Sequence, residues 1–294
     1  MTEKWAYLML SCSALFWSGN FVLGRAASGQ IEPISLAYMR WCLALIIFLP
    51  FTLMAVLRQW PVIRANLGIL IFLGVIGVAG FNTFAYLGLQ DTTATSALLI
   101  NSFIPILIIM LSRIYPGTKI SRSKLAGILL STAGVIILIS RGNWDSLLAL
   151  EVNRGELWVL MAAFSWAVYS IGLRWRPAEL SAPAFLSFSM IIGVLVLSPF
   201  YWFNLLHEAP IDFGVNNLLV IGYVAIFASI GAFLCWNQGV KIVGAGTAGQ
   251  FIHLMPIFGA AMAVGFLSEQ LFWFHAAGAF AIAGGIFITL KFAD

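Results

Sequence analysis

Ten long apolar runs, each closed by a charged or turn-forming cluster, organise this 294-residue chain. They fall at approximately residues 5–25, 34–57, 67–89, 93–114, 122–140, 156–175, 182–204, 215–239, 246–267 and 271–291. Each is close to the ~20 residues with which a helix crosses about 30 Å of hydrocarbon. A membrane strand would instead show about ten residues of alternating polarity. These runs are continuous, so the pattern predicts helices. The breakers sit where connections are needed: Glu32-Pro33, Trp60-Pro61, Tyr115-Pro116-Gly117, Arg176-Pro177 and Ala209-Pro210. No polar stretch between them is long enough to form a separate soluble domain.

Composition hardens this picture. Soluble domains carry about 25% charged residues, whereas this chain has 9%, with 62% hydrophobic. The expectation is an all-α polytopic membrane protein whose large-scale partner is the lipid bilayer. A net charge of +4 would suit nucleic acid, but the basic residues flank apolar runs, so they read as orientation signals and no nucleic-acid partner is expected. With the N-terminus inside, Lys4, Arg58, Arg64, Arg113, Lys119, Arg122, Lys124, Arg174, Arg176, Lys241 and Lys291 fall on the inner side. Only Arg25, Arg141 and Arg154 fall outside, and Arg40 lies within a run. Both termini are therefore expected in the cytoplasm. The first run starts at Trp5, leaving no basic leader of normal length, so it reads as a retained span rather than a signal peptide. Cys12, Cys42 and Cys235 lie inside runs without metal-type spacing, as buried inert thiols do. No metal or cofactor is expected.

The runs also repeat. At a constant offset of 151 residues, Gly88 falls on Gly239, Ala97 on Ala248, Pro105 on Pro256, Gly127 on Gly278 and Gly134 on Gly285. Phe16 to Arg25 resembles Phe164 to Arg174, with Trp17 on Trp166 and Arg25 on Arg174, at an offset of 149. Residues 1–145 and 146–294 thus read as two copies of five helices each. Five is odd, so the second copy enters from the opposite face and the repeat is inverted. That topology is typical of secondary transporters, in which two similar packings expose one site to each side in turn.

Trp17-Ser18-Gly19-Asn20, Gly244-Ala245-Gly246-Thr247-Ala248, Leu254-Met255-Pro256, Ser268-Glu269 and the stretch Gly278 to Gly285 resemble, in order and spacing, the EamA-type family of the drug/metabolite transporter superfamily. Within it the chain looks most like the YddG-type aromatic amino-acid exporters. The resemblance implies ten helices, inverted repeats and export of small metabolites across a bacterial inner membrane. One departure is that Glu269, which closes the ninth run, has Thr118 as its counterpart in the first copy.

Polar groups deep in hydrocarbon are costly and tend to face an interior cavity. Asn82 and Tyr86 share one helical face, with Phe233 and Asn237 as counterparts and Trp236 adjacent. Trp166, Tyr169 and Ser170 lie within about one turn, matching Trp17, Asn20 and Phe21, and Gln250 and His253 share a face in the ninth run. A cavity of amides and aromatics would suit a small amphipathic solute with a planar group. The same amides also serve as glue between helices, and His253 also reads as a structural histidine. Arg40 is either a carboxylate anchor or a structural contact, with Glu32 two turns back as a candidate partner. Pro105 and Pro256 are fixed kinks or a pair of hinges, one per copy. Gly74, Gly77 and Gly80, and Ala277, Ala281 and Gly285, mark close helix packing.

No Asp or Glu lies deep in any run, which leaves weak or no proton coupling, and no Walker-type loop points to ATP. A membrane enzyme would want a clustered constellation, and His207, His253 and His275 are far apart. A channel would show rings of repeated polar groups. The residues by themselves leave amino acids, nucleosides and drug-like cations open as substrates.

Overall fold

The computed structural model describes residues 2–113, 121–140, 153–207, 213–267 and 272–291, and these residues contain helices and no strand. The first half holds α1 (Glu3–Ala26), α2 (Pro33–Arg58), the short α3 (Trp60–Ala65), α4 (Leu67–Leu73), α5 (Phe81–Asp91), α6 (Ala94–Asn101), α7 (Ile104–Ser112) and α8 (Arg122–Ile139). The second holds α9 (Arg154–Gly172), α10 (Ala182–His207), α11 (Val215–Tyr223), α12 (Ala232–Gly249), α13 (Leu254–Leu267) and α14 (Trp273–Lys291). Among the described residues, seven stretches are long and apolar enough to cross a membrane, and Ser96–Ser112 is a shorter apolar one. The longest, Val215–Met262, is not a single rod. Gly244 breaks it with φ 76° and ψ 158°, in the left-handed region that favours glycine.

Around a buried apolar core the molecule exposes large apolar side chains and buries polar ones. Phe51, Leu206 and Phe280 are about four-fifths exposed, while Arg40, Asn82, Ser187, Ser229 and His253 are fully buried. Outer apolar side chains meet lipid tails, so only interior polar groups need partners. Trp5 and Trp273, at helix starts, are exposed as interfacial belt residues are.

Helix-end contacts define two faces. Arg25 Nη1 donates to the Leu89 carbonyl at 2.7 Å, and a Cβ on Gly155 would meet the Gly88 carbonyl at 2.6 Å. The end of α1, the end of α5 and the start of α9 therefore share a first face. On the second face, the Ser181 amide donates to Gln59 Oε1 at 2.8 Å, bringing the end of α2 to the start of α10. α8 and α14 run antiparallel, because a Cβ on Gly134 would lie 2.7 Å from the Gly278 carbonyl while Gly127 meets Gly285 and Thr289. Such backbone contact needs small residues, as the glycine spacing anticipates.

Irregularities recur in register. A π-helical turn spans Gly74–Gly80 between α4 and α5, and another spans Val224–Gly231 between α11 and α12. Helix α2 carries Pro50 internally and α10 carries Pro199. His253 Nε2 lies 2.9 Å from the Ser102 carbonyl, and Ser131 Oγ donates to the Ile282 carbonyl at 3.3 Å. In both contacts a residue meets its own counterpart 151 positions away.

The prolines differ from expectation. Pro105 does not kink a continuous fourth helix: α6 stops at Asn101, and Pro105 occupies the first turn of α7, where its missing N–H is harmless. Pro256 follows a 3-10 turn at Gln250–His253, as the third residue of α13. Each proline starts a new helical segment after a break. Thr118 and Glu269 lie outside the described residues.

Candidate functional site

Three layers of buried side chains stack between the two faces. Nearest the first face is a polar cluster around Arg40, which sits seven residues into α2. Its Nε donates to Ser229 Oγ at 2.8 Å, and Nη1 reaches Asn20 Oδ1 at 2.9 Å, Asn82 Oδ1 at 2.7 Å and the Tyr86 hydroxyl at 2.7 Å. The Tyr86 hydroxyl also donates to Asn20 Oδ1 at 2.7 Å. The guanidinium carbon lies 5.1 Å from the Trp41 ring centre, and Nη2 is buried without a hydrogen-bond partner. Every one of these partners is neutral. Glu32 is not among them, a correction to the partner suggested above, because its carboxylate caps α2 by accepting from the Ile34 and Ser35 amides.

Local structure explains the cluster. Asn82 and Tyr86 are one turn apart on α5 and point the same way. Ser229 lies in the second π-helical turn, where its hydroxyl donates to the Val224 carbonyl at 2.7 Å and so presents its lone pairs to Arg40. π-turns often mark functional positions. Nothing in a serine among apolar residues signalled this partner.

The middle layer is aromatic. Trp17, Trp166, Phe233 and Trp236 are all buried, with ring centres 4.8 Å apart for Trp17 and Trp166, 5.2 Å for Trp166 and Phe233 and 5.6 Å for Trp166 and Trp236. The layer touches the Arg40 cluster through Trp41, 5.1 Å from Phe233, and touches the third layer through Tyr169, 5.0 Å from Trp166.

The third layer mirrors the first. The Tyr169 hydroxyl donates to Asn237 Oδ1 at 2.7 Å. Tyr169 is the counterpart of Asn20, and Asn237 that of Tyr86, so the tyrosine–asparagine bond recurs with its two residues exchanged between helices. Here it borders a cavity of about 670 Å³ at the second face, well within the range of small-molecule sites. Ser170, Asn237, Arg176, Lys124, Lys241 and Gly244 are in its wall. Burial pushes the Arg176 guanidinium down from its ordinary value, which Tyr169 partly offsets. A second, largely apolar cavity of about 770 Å³ lies towards the first face, between α1 and α11, and involves none of the Arg40 cluster.

The residues singled out in the sequence thus divide. Asn20, Arg40, Asn82 and Tyr86 form one cluster, and Trp166, Tyr169, Trp236 and Asn237 form the aromatic layer and cavity floor. Gln250 and His253 join neither: Gln250 Nε2 reaches the Lys124 carbonyl at 3.4 Å, and His253 contacts Ser102. Sequence reasoning passed over Ser229, Trp41 and Arg176.

The profile of the EamA-like transporter family matches residues 4–140 and again residues 153–291. The chain belongs to the EamA-like transporter family. It is 27% identical over 251 residues to the uncharacterised transporter YyaM of Bacillus subtilis, covering 85% of this chain and 82% of that one. It is 27% identical to YetK of the same organism, covering 97% and 86%. An S-adenosylmethionine/S-adenosylhomocysteine transporter of Chlamydia muridarum is 24% identical, covering 87% and 82%. A solved crystal structure superposes with a TM-score of 0.78 at 21% identity over 98% of this chain and 97% of that chain, a likeness of fold. The molecule is a membrane transporter and not an enzyme.

Proposed function

We propose that this chain is a secondary transporter of small amphipathic metabolites, chiefly amino acids with aromatic or other neutral side chains, working by alternating access. In this reading ten helices cross a bacterial plasma membrane as two inverted copies, residues 1–145 and 146–294, with both termini in the cytoplasm. The second face, which gathers Lys124, Arg174, Arg176 and Lys241, is then cytoplasmic, as the positive-inside rule requires. The double match of the family profile, the paired π-turns and the antiparallel glycine contacts support the inverted repeat. Carriers of this architecture place their sites between such copies.

The observation that carries the proposal is the pairing of the two tyrosine–asparagine bonds. One lies sealed beneath Arg40, and its counterpart opens onto a cavity. Alternating access requires a gate at each face, the two in opposite states, and the aromatic layer between them is where a planar group would rest. The relative that carries S-adenosylmethionine favours a second substrate within the same reading, because that solute also joins an amino-acid head to a planar base. Counterflow of labelled phenylalanine in proteoliposomes tests the proposal. Saturable uptake accelerated by unlabelled amino acid inside is expected. Linear, unaccelerated flux, or no flux of amino acids, nucleosides and cationic dyes alike, would overturn it.

A further inference from the structure

The floor of the 670 Å³ cavity carries hydrogen-bond donors that no described residue uses. Asn237 has its amide oxygen occupied by the Tyr169 hydroxyl, so its Nδ2 group is turned away, buried and without a partner. Ser170 and Arg176 line the same cavity, and Ser170 Oγ and Arg176 Nη1 are likewise buried and unpartnered. Asn237 and Ser170 are each only 1% exposed. An unmade hydrogen bond at a buried polar atom costs about 1–3 kcal/mol, so three in one cavity wall amount to a site awaiting acceptors.

We infer that Asn237, Ser170 and Arg176 form an oxyanion subsite that holds the carboxylate of the transported solute. The subsite rests on the cavity being where solute sits. Two amide N–H bonds, one hydroxyl and a guanidinium suit an acceptor-only group, and a guanidinium matches a carboxylate in plane. The Arg176 guanidinium lies 5.3 Å from the Phe185 ring, and among the described residues no acid pairs with it. Lys124 and Lys241, in the wall of the same cavity, add positive potential that would concentrate anions there. Positive charge for orientation needs only helix ends; it does not need unpartnered donors inside a cavity. The aromatic layer beyond Asn237 then receives the solute's planar group.

The test uses purified full-length protein and the quenching of its tryptophan fluorescence, a binding readout independent of transport. The probes are 3-phenylpropionate, phenyl phosphate and phenethylamine. 3-Phenylpropionate should bind at least about tenfold more tightly than phenethylamine, the effect of one lost charge-assisted contact. Phenyl phosphate binding more tightly than 3-phenylpropionate would keep the oxyanion subsite but replace the carboxylate by a phosphoryl group. Asn237→Asp should abolish the preference for the anion by placing a carboxylate against it. Ser170→Ala removes a buried hydroxyl without a partner, so it should weaken 3-phenylpropionate severalfold without lowering the melting temperature. Phenethylamine binding as tightly as either anion, an unaltered anion preference in Asn237→Asp, or no quenching by either anion would overturn the inference. Anion-selective quenching without amino-acid counterflow would sink the transport reading alone and leave the subsite standing.

Discussion

The two tyrosine–asparagine pairs make the same hydrogen bond at the same length and do opposite things. Asn20 and Tyr86 lie under Arg40, which ties α1, α2, α5 and the second π-turn together through four contacts. Tyr169 and Asn237 have no such tie: at the register set by the internal prolines of α2 and α10, the counterpart of Arg40 is Ser189, whose hydroxyl is buried without a partner. A duplicated chain would give a carrier two identical gates. Here Arg40 has no charged counterpart, so in the alternating-access reading proposed above the gates would differ in strength and the state closed at the first face would be favoured.

The sharpest way to break this asymmetry is Arg40→Gln. A shorter neutral amide cannot reach Asn20, Asn82, Tyr86 and Ser229 together, and hydrogen bonds to a charged group are worth about 1.5–3 kcal/mol each. The melting temperature in detergent should fall by several degrees. A cysteine at position 82 should become reactive from the first face. The matched pair Tyr86→Phe and Tyr169→Phe comes next. Tyr86 bonds both Arg40 and Asn20, whereas among the described residues Tyr169 bonds Asn237 alone. Loss of the first hydroxyl should therefore destabilise by about 2 kcal/mol and loss of the second by about 1 kcal/mol, read by denaturation. Equal losses would mean that the gates are equivalent after all.

How much of this was legible beforehand follows from the kind of signal. Some helix positions came through because apolar length is a one-dimensional property: runs at 34–57 and 67–89 became Pro33–Arg58 and Leu67–Asp91, whereas the run at 93–114 divides into α6 and α7. Asn82 and Tyr86 were legible as a pair because one turn of helix puts them side by side. The exchange of residues between the two gates was not legible, since aligning Tyr86 with Asn237 and Asn20 with Tyr169 shows two mismatches until the contacts join them. Ser229 and Arg176 were hidden for a different reason. A serine in an apolar run carries no pattern, and an arginine at a helix end looks like an orientation signal whether or not it lines a cavity. The breaks before Pro105 and Pro256 lay one step beyond the proline rule, which signals an interruption but not that a separate helix begins there.

Smaller effects sharpen the comparison along the other axis. Pro105→Ala and Pro256→Ala together should join α6 to α7 and smooth the entry to α13. Exchange should slow by a few-fold with binding of 3-phenylpropionate nearly unchanged, because neither proline lines the cavity. Weakened binding at an unchanged exchange rate would assign the prolines to the site rather than to its motion. Smallest of all should be the response to an imposed pH gradient. Among the described residues no acid lines the 670 Å³ cavity, so proton-driven accumulation against a concentration gradient is not expected, and its observation would require a titrating group elsewhere.

The most direct test of the two-gate account is cysteine accessibility from each side of the membrane. Cys12, Cys42 and Cys235 would be replaced by alanine, and single cysteines placed at Ala245, a half-buried residue of the cavity wall, and at the fully buried Asn82. In right-side-out and inside-out vesicles, a membrane-impermeant maleimide should label position 245 from the cytoplasmic side only and leave position 82 unlabelled from either. Labelling of both positions from one side, or of position 245 from outside, would contradict it.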